Sequence, residues 1–247
     1  MDIDFILAFV LIVFISSLVH GSIGFGFGMI ATPVIALFTD IQTTIISILI
    51  PTMIVNIISI LSEGRFFEAL KKFWFIILLM IIGSMIGTWL LVYSNSNYFK
   101  LLLAFIIFIY LLQSVVNIKA TFVSTYPKTS TYSLGIFGGI LSGLTNIVAP
   151  LMIMYTLELK YTRKDTIQLS NLCFLFTKIG QITVFVYFGE FTAHIFNVFM
   201  LSVLVVCIGM YFGTKIKKRI DSKFYIKILK VLLFFIALLL VYQTLNA

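Results

Sequence analysis

Lys178 stands near the middle of an uncharged run from 166 to 188, too deep for its side chain to snorkel comfortably to either end. An unpaired cation at such a depth costs at least ~2.5 to 3.5 kcal/mol, and the nine acidic residues of the chain fall in or near loops. The missing partner is therefore expected to be a bound anion. At helical spacing Asn171, Phe174, Lys178 and Gln181 share one face, so two amides flank the ammonium and can bond oxygens of the same ligand. Two bland readings stand beside this one: Lys178 caps helix C-terminal carbonyls, or it is deprotonated. Aligning Thr44-Ile45 with Thr166-Ile167 sets Asn56 opposite Lys178, with Thr52, Ser59 and Glu63 on its face.

A second feature with chemistry in it is the stretch HGSIGFGFGMIATP at 20–33, within an apolar run, 5–38, that carries no charge at neutral pH. As one helix that run would measure roughly 50 Å, against a hydrocarbon core of ~30 Å. It must tilt severely, cross twice or re-enter, and Gly21, Gly24, Gly26 and Gly28 mark the break. A half-helix starting near Gly26, Phe27 and Gly28 and running toward Phe38 points its first amides and its positive dipole end at the midplane, where an anion can satisfy them. Gly143, Thr145 and Asn146 are expected to do the same from the second half of the chain. His20 is a candidate proton-coupling group, since imidazole changes charge near neutral pH; a histidine bonded to backbone at a helix break is the equally simple alternative. Glu63 and Glu190, at the ends of equivalent helices, read first as solvated acids at the membrane edge and second as coupling groups.

The elements that must position these residues follow from composition. Hydrophobic residues make up 61% of the chain and charged ones 11%, with a mean hydropathy of +1.16. That is an all-α integral membrane protein, one transmembrane transporter domain over 1–247, with no soluble domain between its apolar runs. Asp2 and Asp4 stand where a secretory signal needs basic residues, so the first run is expected to remain in the mature protein. Cys173 and Cys207 lie in apolar segments without metal-ligand spacing and read as core residues. No cofactor, metal or nucleic-acid partner is implied; the partners are lipid and a small anion, and a homodimer is an open assembly.

The further apolar runs cover 43–62, 73–93, 98–116, 132–157, 166–188, 191–214 and 224–245. Basic residues gather at Arg65 to Lys72, Lys119 to Lys128, Lys160 to Lys164 and Lys215 to Lys230, which places those loops in the cytoplasm and both termini outside. For the charges to agree, 5–38 and 118–157 must each begin and end on the same side. Gly21, Gly26, Ile30 and Pro33 recur in spacing as Gly138, Gly143, Ile147 and Pro150, and GSMIGT at 83–88 recurs as GMYFGT at 209–214. Two halves emerge, approximately 1–116 and 118–247, each of about five passes with a glycine-broken hairpin or half-helix at its start. An odd number of passes inserts the second half upside down, an inverted-topology repeat. Gly83 and Gly87, like Gly209 and Gly213, read as close-packing positions.

With HGSIGFGFGMIATP, its looser copy GGILSGLTNIVAP and the paired G-x-x-x-G-T segments, the chain resembles the sulfite exporter/4-toluene sulfonate uptake permease family of TauE/SafE type along essentially its whole length. The resemblance implies a secondary transporter of sulfite-like, sulfonate-like or small organic anions in the bacterial cytoplasmic membrane. Leu144, Thr145 and Asn146 depart from the family's glycine-dense pattern in the second copy. An anion channel and a non-transporting scaffold are the alternatives. An intramembrane enzyme is disfavoured by the absence of an HExxH motif, an intramembrane acid pair or a GxSG-like serine.

Overall fold

A computed structural model describes residues 3–94, 96–116, 121–191, 193–216 and 222–245, and every regular element among them is helical. In chain order these are α1 (Ile3–Ile23), α2 (Phe27–Ile35), α3 (Ile41–Ser47), α4 (Leu49–Glu63), α5 (Phe66–Tyr93), α6 (Ser96–Val116), α7 (Thr121–Thr125), α8 (Pro127–Ser133), a π-turn at Leu134–Gly138, α9 (Gly139–Thr145), α10 (Ala149–Glu158), α11 (Arg163–Tyr187), α12 (Ala193–Ile216) and α13 (Ser222–Leu245). Asn95, Lys119, Lys217 and both chain ends, on which the topology expectation partly rests, lie outside the described residues.

The long apolar elements are membrane helices. Phe5–Ile23 of α1, all of α5 and all of α11 are each long and apolar enough to cross a bilayer. Their outward side chains are apolar: Trp74, Trp89, Phe105 and Leu239 are exposed, as suits a lipid-facing surface.

The run 43–62, expected as one crossing, is not a single continuous helix. It is a bent pair, α3 and α4, with a 46° angle at Ile48. Pro51 accounts for the bend, because it has no N–H to give the Ser47 carbonyl four residues back and its ring crowds that carbonyl. Asp40 caps α3 by accepting the Thr43 amide at 2.9 Å. Thr162 caps α11, accepting the Asp165 amide at 3.1 Å while its hydroxyl bonds the Asp165 carboxylate.

Small residues set the two closest helix crossings. A Cβ on Gly143 would stand 2.7 Å from the Thr88 nitrogen, and one on Gly139 2.9 Å from the Gly83 Cα, so α9 and α5 touch backbone to backbone. A Cβ on Gly21 would stand 3.2 Å from the Gly213 Cα, and Gly209 lies against Ser17 and the Phe14 carbonyl, so α1 meets α12 in the same way. The close-packing reading of Gly83, Gly87, Gly209 and Gly213 is the one seen. Gly143, expected at the binding site, belongs to this packing. Ser17 and Gly21 of α1 meet Gly209 and Gly213, as Gly139 and Gly143 of α9 meet Gly83 and Gly87.

Candidate functional site at the two helix breaks

The first break, Gly24 to Gly26, separates α1 from α2. Gly24 has φ 102° and Gly26 φ 111°, left-handed values that a side chain makes costly. The freed backbone is held from across the molecule by α11. The Asn171 amide nitrogen donates to the Gly24 carbonyl at 2.8 Å and to the Ile167 carbonyl at 2.7 Å. Both its hydrogens being engaged, its oxygen faces His20 as an acceptor, at 3.1 Å from Nε2. His20 therefore carries its proton on Nε2, which also lies 2.9 Å from the Ser59 hydroxyl. That leaves Nδ1 as an acceptor, and it takes the amide of Phe27, the first residue of α2, at 3.3 Å. Asn171, expected as a ligand for the anion, is thus a clasp with its bonds already made. His20 bonds the backbone at the break through the Phe27 amide.

The second break, Asn146 to Val148, separates α9 from α10. It falls slightly later than expected: the half-helix starts at Ala149, with Pro150 in its first turn, and not at Gly143. Asn146 supplies the left-handed residue, φ 61°, a conformation that asparagine tolerates better than most. Its side-chain oxygen accepts from the Lys178 amine, and its nitrogen donates to the Thr32 hydroxyl at 3.3 Å. Lys178 donates also to the Gln181 oxygen at 2.8 Å, and the Gln181 nitrogen donates to the Ser142 carbonyl at 2.9 Å. Gln181 holds the amine in place. Thr145 bonds back to the Leu141 carbonyl and accepts the Ile147 amide, supporting the break from outside the cavity.

The two breaks touch. A Cβ on Gly28 would stand 2.8 Å from the Asn146 carbonyl, so only glycine admits this approach. Between them lies a small cavity of about 20 Å³. Gly26, Phe27 and Gly28 form one wall; Thr52 and Asn56 of α4 another; Lys178 and Phe174 of α11 a third. His20 and Asn146 complete it, together with Ser142 and Ala149, which the sequence reading did not single out. The asparagine at 146, followed by Pro150, was a usable sign of the second break, since proline favours the first turn of a helix.

Among the described residues Lys178 is the only Lys, Arg, Asp or Glu side chain that is fully buried, at 1% exposure, and it has no carboxylate partner. Asn56 is buried to the same degree, and both its side-chain oxygen and nitrogen lack partners. An unpartnered buried amide is expensive unless something else occupies its bonds. Glu63 and Glu190 do not line the cavity: Glu63 ends α4 and Glu190 follows Gly189 beyond α11. A second cavity, about 330 Å³, lies near the start of α11, beside the Lys72–Asp165 ion pair at 3.0 Å. There the Gln168 amide donates to the Gly64 carbonyl.

No curated protein and no solved structure matches the chain. The family model described as sulfite exporter TauE/SafE matches residues 9–240, nearly the whole length. A multi-pass helical membrane protein with a buried, carboxylate-free amine between two broken helices, matched over that span, belongs to the TauE/SafE sulfite exporter family of membrane transporters.

Proposed function

We propose that this chain moves a small sulfur-containing or organic anion across the cytoplasmic membrane by alternating access, with Lys178 as the fixed positive charge that recognises it. The observation that carries the reading is the placement of Lys178: its amine donates to two neutral amide oxygens, meets no carboxylate, and lines a cavity. The unpartnered Asn56 and the first turn of α2 line that same cavity. An ammonium donates three hydrogen bonds, so two are used and one remains for a ligand. The positive end of the α2 dipole adds to its attraction. Such a site holds an anion without a metal or a covalent bond and can release it again.

The inverted repeat is part of this proposal. What supports it is the matched order of elements: long helix, break, half-helix, then crossings. The two glycine crossings support it as well, α1 on α12 and α9 on α5, each joining the broken helix of one half to a crossing of the other. Both termini are placed outside by the loop charges. A cytoplasmic C-terminus, found by cysteine labelling, would overturn that arrangement.

Lys178→Met keeps the approximate length and removes the charge. In liposomes loaded with sulfite, thiosulfate, sulfonates or small carboxylates, the Met variant is expected to lose anion binding and flux while still inserting and folding, and Lys178→Arg to retain part of the binding. Transport of the same anion by Lys178→Met with unchanged affinity would place the site elsewhere. Saturation and counterflow are expected of a carrier, and their absence would favour the channel reading.

A further inference from the structure

We infer that transport is coupled to protons, one with each anion, and that His20 Nδ1 is the atom that takes the proton. The inference rests on the anion site proposed above but on a different observation, the hydrogen-bond geometry of the first break. Asn171 fixes the imidazole as the Nε2–H tautomer, because its own nitrogen is committed to two carbonyls and only its oxygen is left to face the ring. The one free lone pair of the ring, on Nδ1, accepts the Phe27 amide. A proton arriving at Nδ1 makes that atom a donor, and two donors then face each other. The Phe27 amide must let go. Phe27 opens α2 and lines the cavity, as does His20, so protonation frees a helix N-terminal amide and adds a positive charge where the anion is to bind.

Charge around the ring gives the coupling its sign. The charged group in contact with the same cavity is Lys178, from α11. From α4 the ring meets Ser59, with the neutral Asn56 in the cavity wall; α2 presents the Phe27 amide; and α12 packs on α1 through Gly209 and Gly213 and through the apolar Val206 and Met210. Among the described residues no carboxylate lines the cavity. With the cavity empty, the Lys178 ammonium opposes a second cation nearby. An anion between them removes that opposition, so anion and proton each raise the affinity for the other, as linkage requires. His20 then moves between a neutral state that caps α2 and a cationic state that releases it, which ties ligand occupancy to the geometry of the half-helix.

The test uses anions whose own charge does not change near neutrality, thiosulfate and methanesulfonate, so that any proton taken up belongs to the protein. Purified chain in weakly buffered detergent is mixed with each anion at a series of pH values from about 4 to 7, with binding of radiolabelled thiosulfate measured in parallel. About one proton should be taken up per anion bound, and wild-type affinity should rise as pH falls. His20→Gln reproduces the neutral tautomer, with an oxygen for the Phe27 amide and a nitrogen for Asn171. It should reduce proton uptake at least about tenfold and flatten the pH dependence of whatever binding remains. Anion binding by the wild type without proton uptake overturns the inference and leaves the anion site standing. Uptake that survives in His20→Gln assigns the proton to Lys178 and overturns it as well. If neither anion nor any of the wider panel binds, the anion site and the coupling fall together.

Discussion

The two helix breaks are built alike and held differently. Each interrupts a membrane helix at a left-handed residue, Gly24 in one and Asn146 in the other, and each is gripped by a side chain of α11. At the first break the grip is Asn171, a neutral side chain with its donors and its acceptor all engaged. At the second it is Lys178, whose amine donates to the neutral side-chain oxygens of Asn146 and Gln181. The difference separates two tasks. Neutral and satisfied groups stabilise a broken helix in lipid; on the proposed reading, an ammonium without a counter-charge costs the fold locally and gives the cavity its affinity for an anion. The bent pair α3–α4 sharpens the contrast, because its Asn56 lines the cavity with no partner at all while Ser59, one turn on, bonds His20.

If that division is right, the largest loss of stability belongs to the first break. Asn171→Leu takes the donor from the buried Gly24 carbonyl and the acceptor from His20, and is expected to cost about 2 to 4 kcal/mol. Thermal unfolding in detergent would measure it. Lys178→Met, at the second break, should by comparison leave the midpoint nearly unmoved, since it removes a buried cation along with its bonds. Equal destabilisation by the two substitutions would dissolve the distinction.

A smaller effect tests the backbone of the second break. Asn146→Ala and Asn146→Gly both delete the acceptor of Lys178, but only alanine meets the steric cost of the left-handed conformation, about 1 to 2 kcal/mol. The glycine variant should unfold later than the alanine variant by about that difference, and both should bind anion less well. Identical unfolding would mean that the break relaxes once the side chain is gone.

The smallest change in stability, and the most informative sign, is expected at Asn56. Asn56→Leu removes two unpartnered buried polar atoms, so the fold should be unchanged or gain up to about 1 kcal/mol. Anion affinity should fall about tenfold, which corresponds to about 1.4 kcal/mol. Lower stability with intact binding, read from the same pair of measurements, would make Asn56 a structural residue.

Much of this was legible in the chain itself. The depth of Lys178 follows from the length of the uncharged run around it, and the need for a break near Gly24 and Gly26 from a run too long for the bilayer. Both are consequences of local sequence meeting a solvent of fixed thickness. The close-packing glycines at 83, 87, 209 and 213 were readable for the same reason, since a small residue every fourth position marks a contact face wherever the helix goes. The bend at Ile48 has a local cause as well, Pro51 and the carbonyl it leaves at Ser47. What the sequence left open were the partners. Asn171 and Gln181 lie on one face with Lys178, and from that face alone they look like ligands. Only the crossing of α11 over both breaks turns Asn171 to the Gly24 carbonyl and Gln181 to the Ser142 carbonyl. Likewise Gly143 looked like a twin of Gly26, and the contact of α9 with α5 makes it a packing residue against Gly87 and Thr88. A helix periodicity determines which residues share a face, because it depends on neighbours three and four positions away. Which backbone atom that face meets depends on segments more than a hundred positions apart, and the tertiary structure alone decides it.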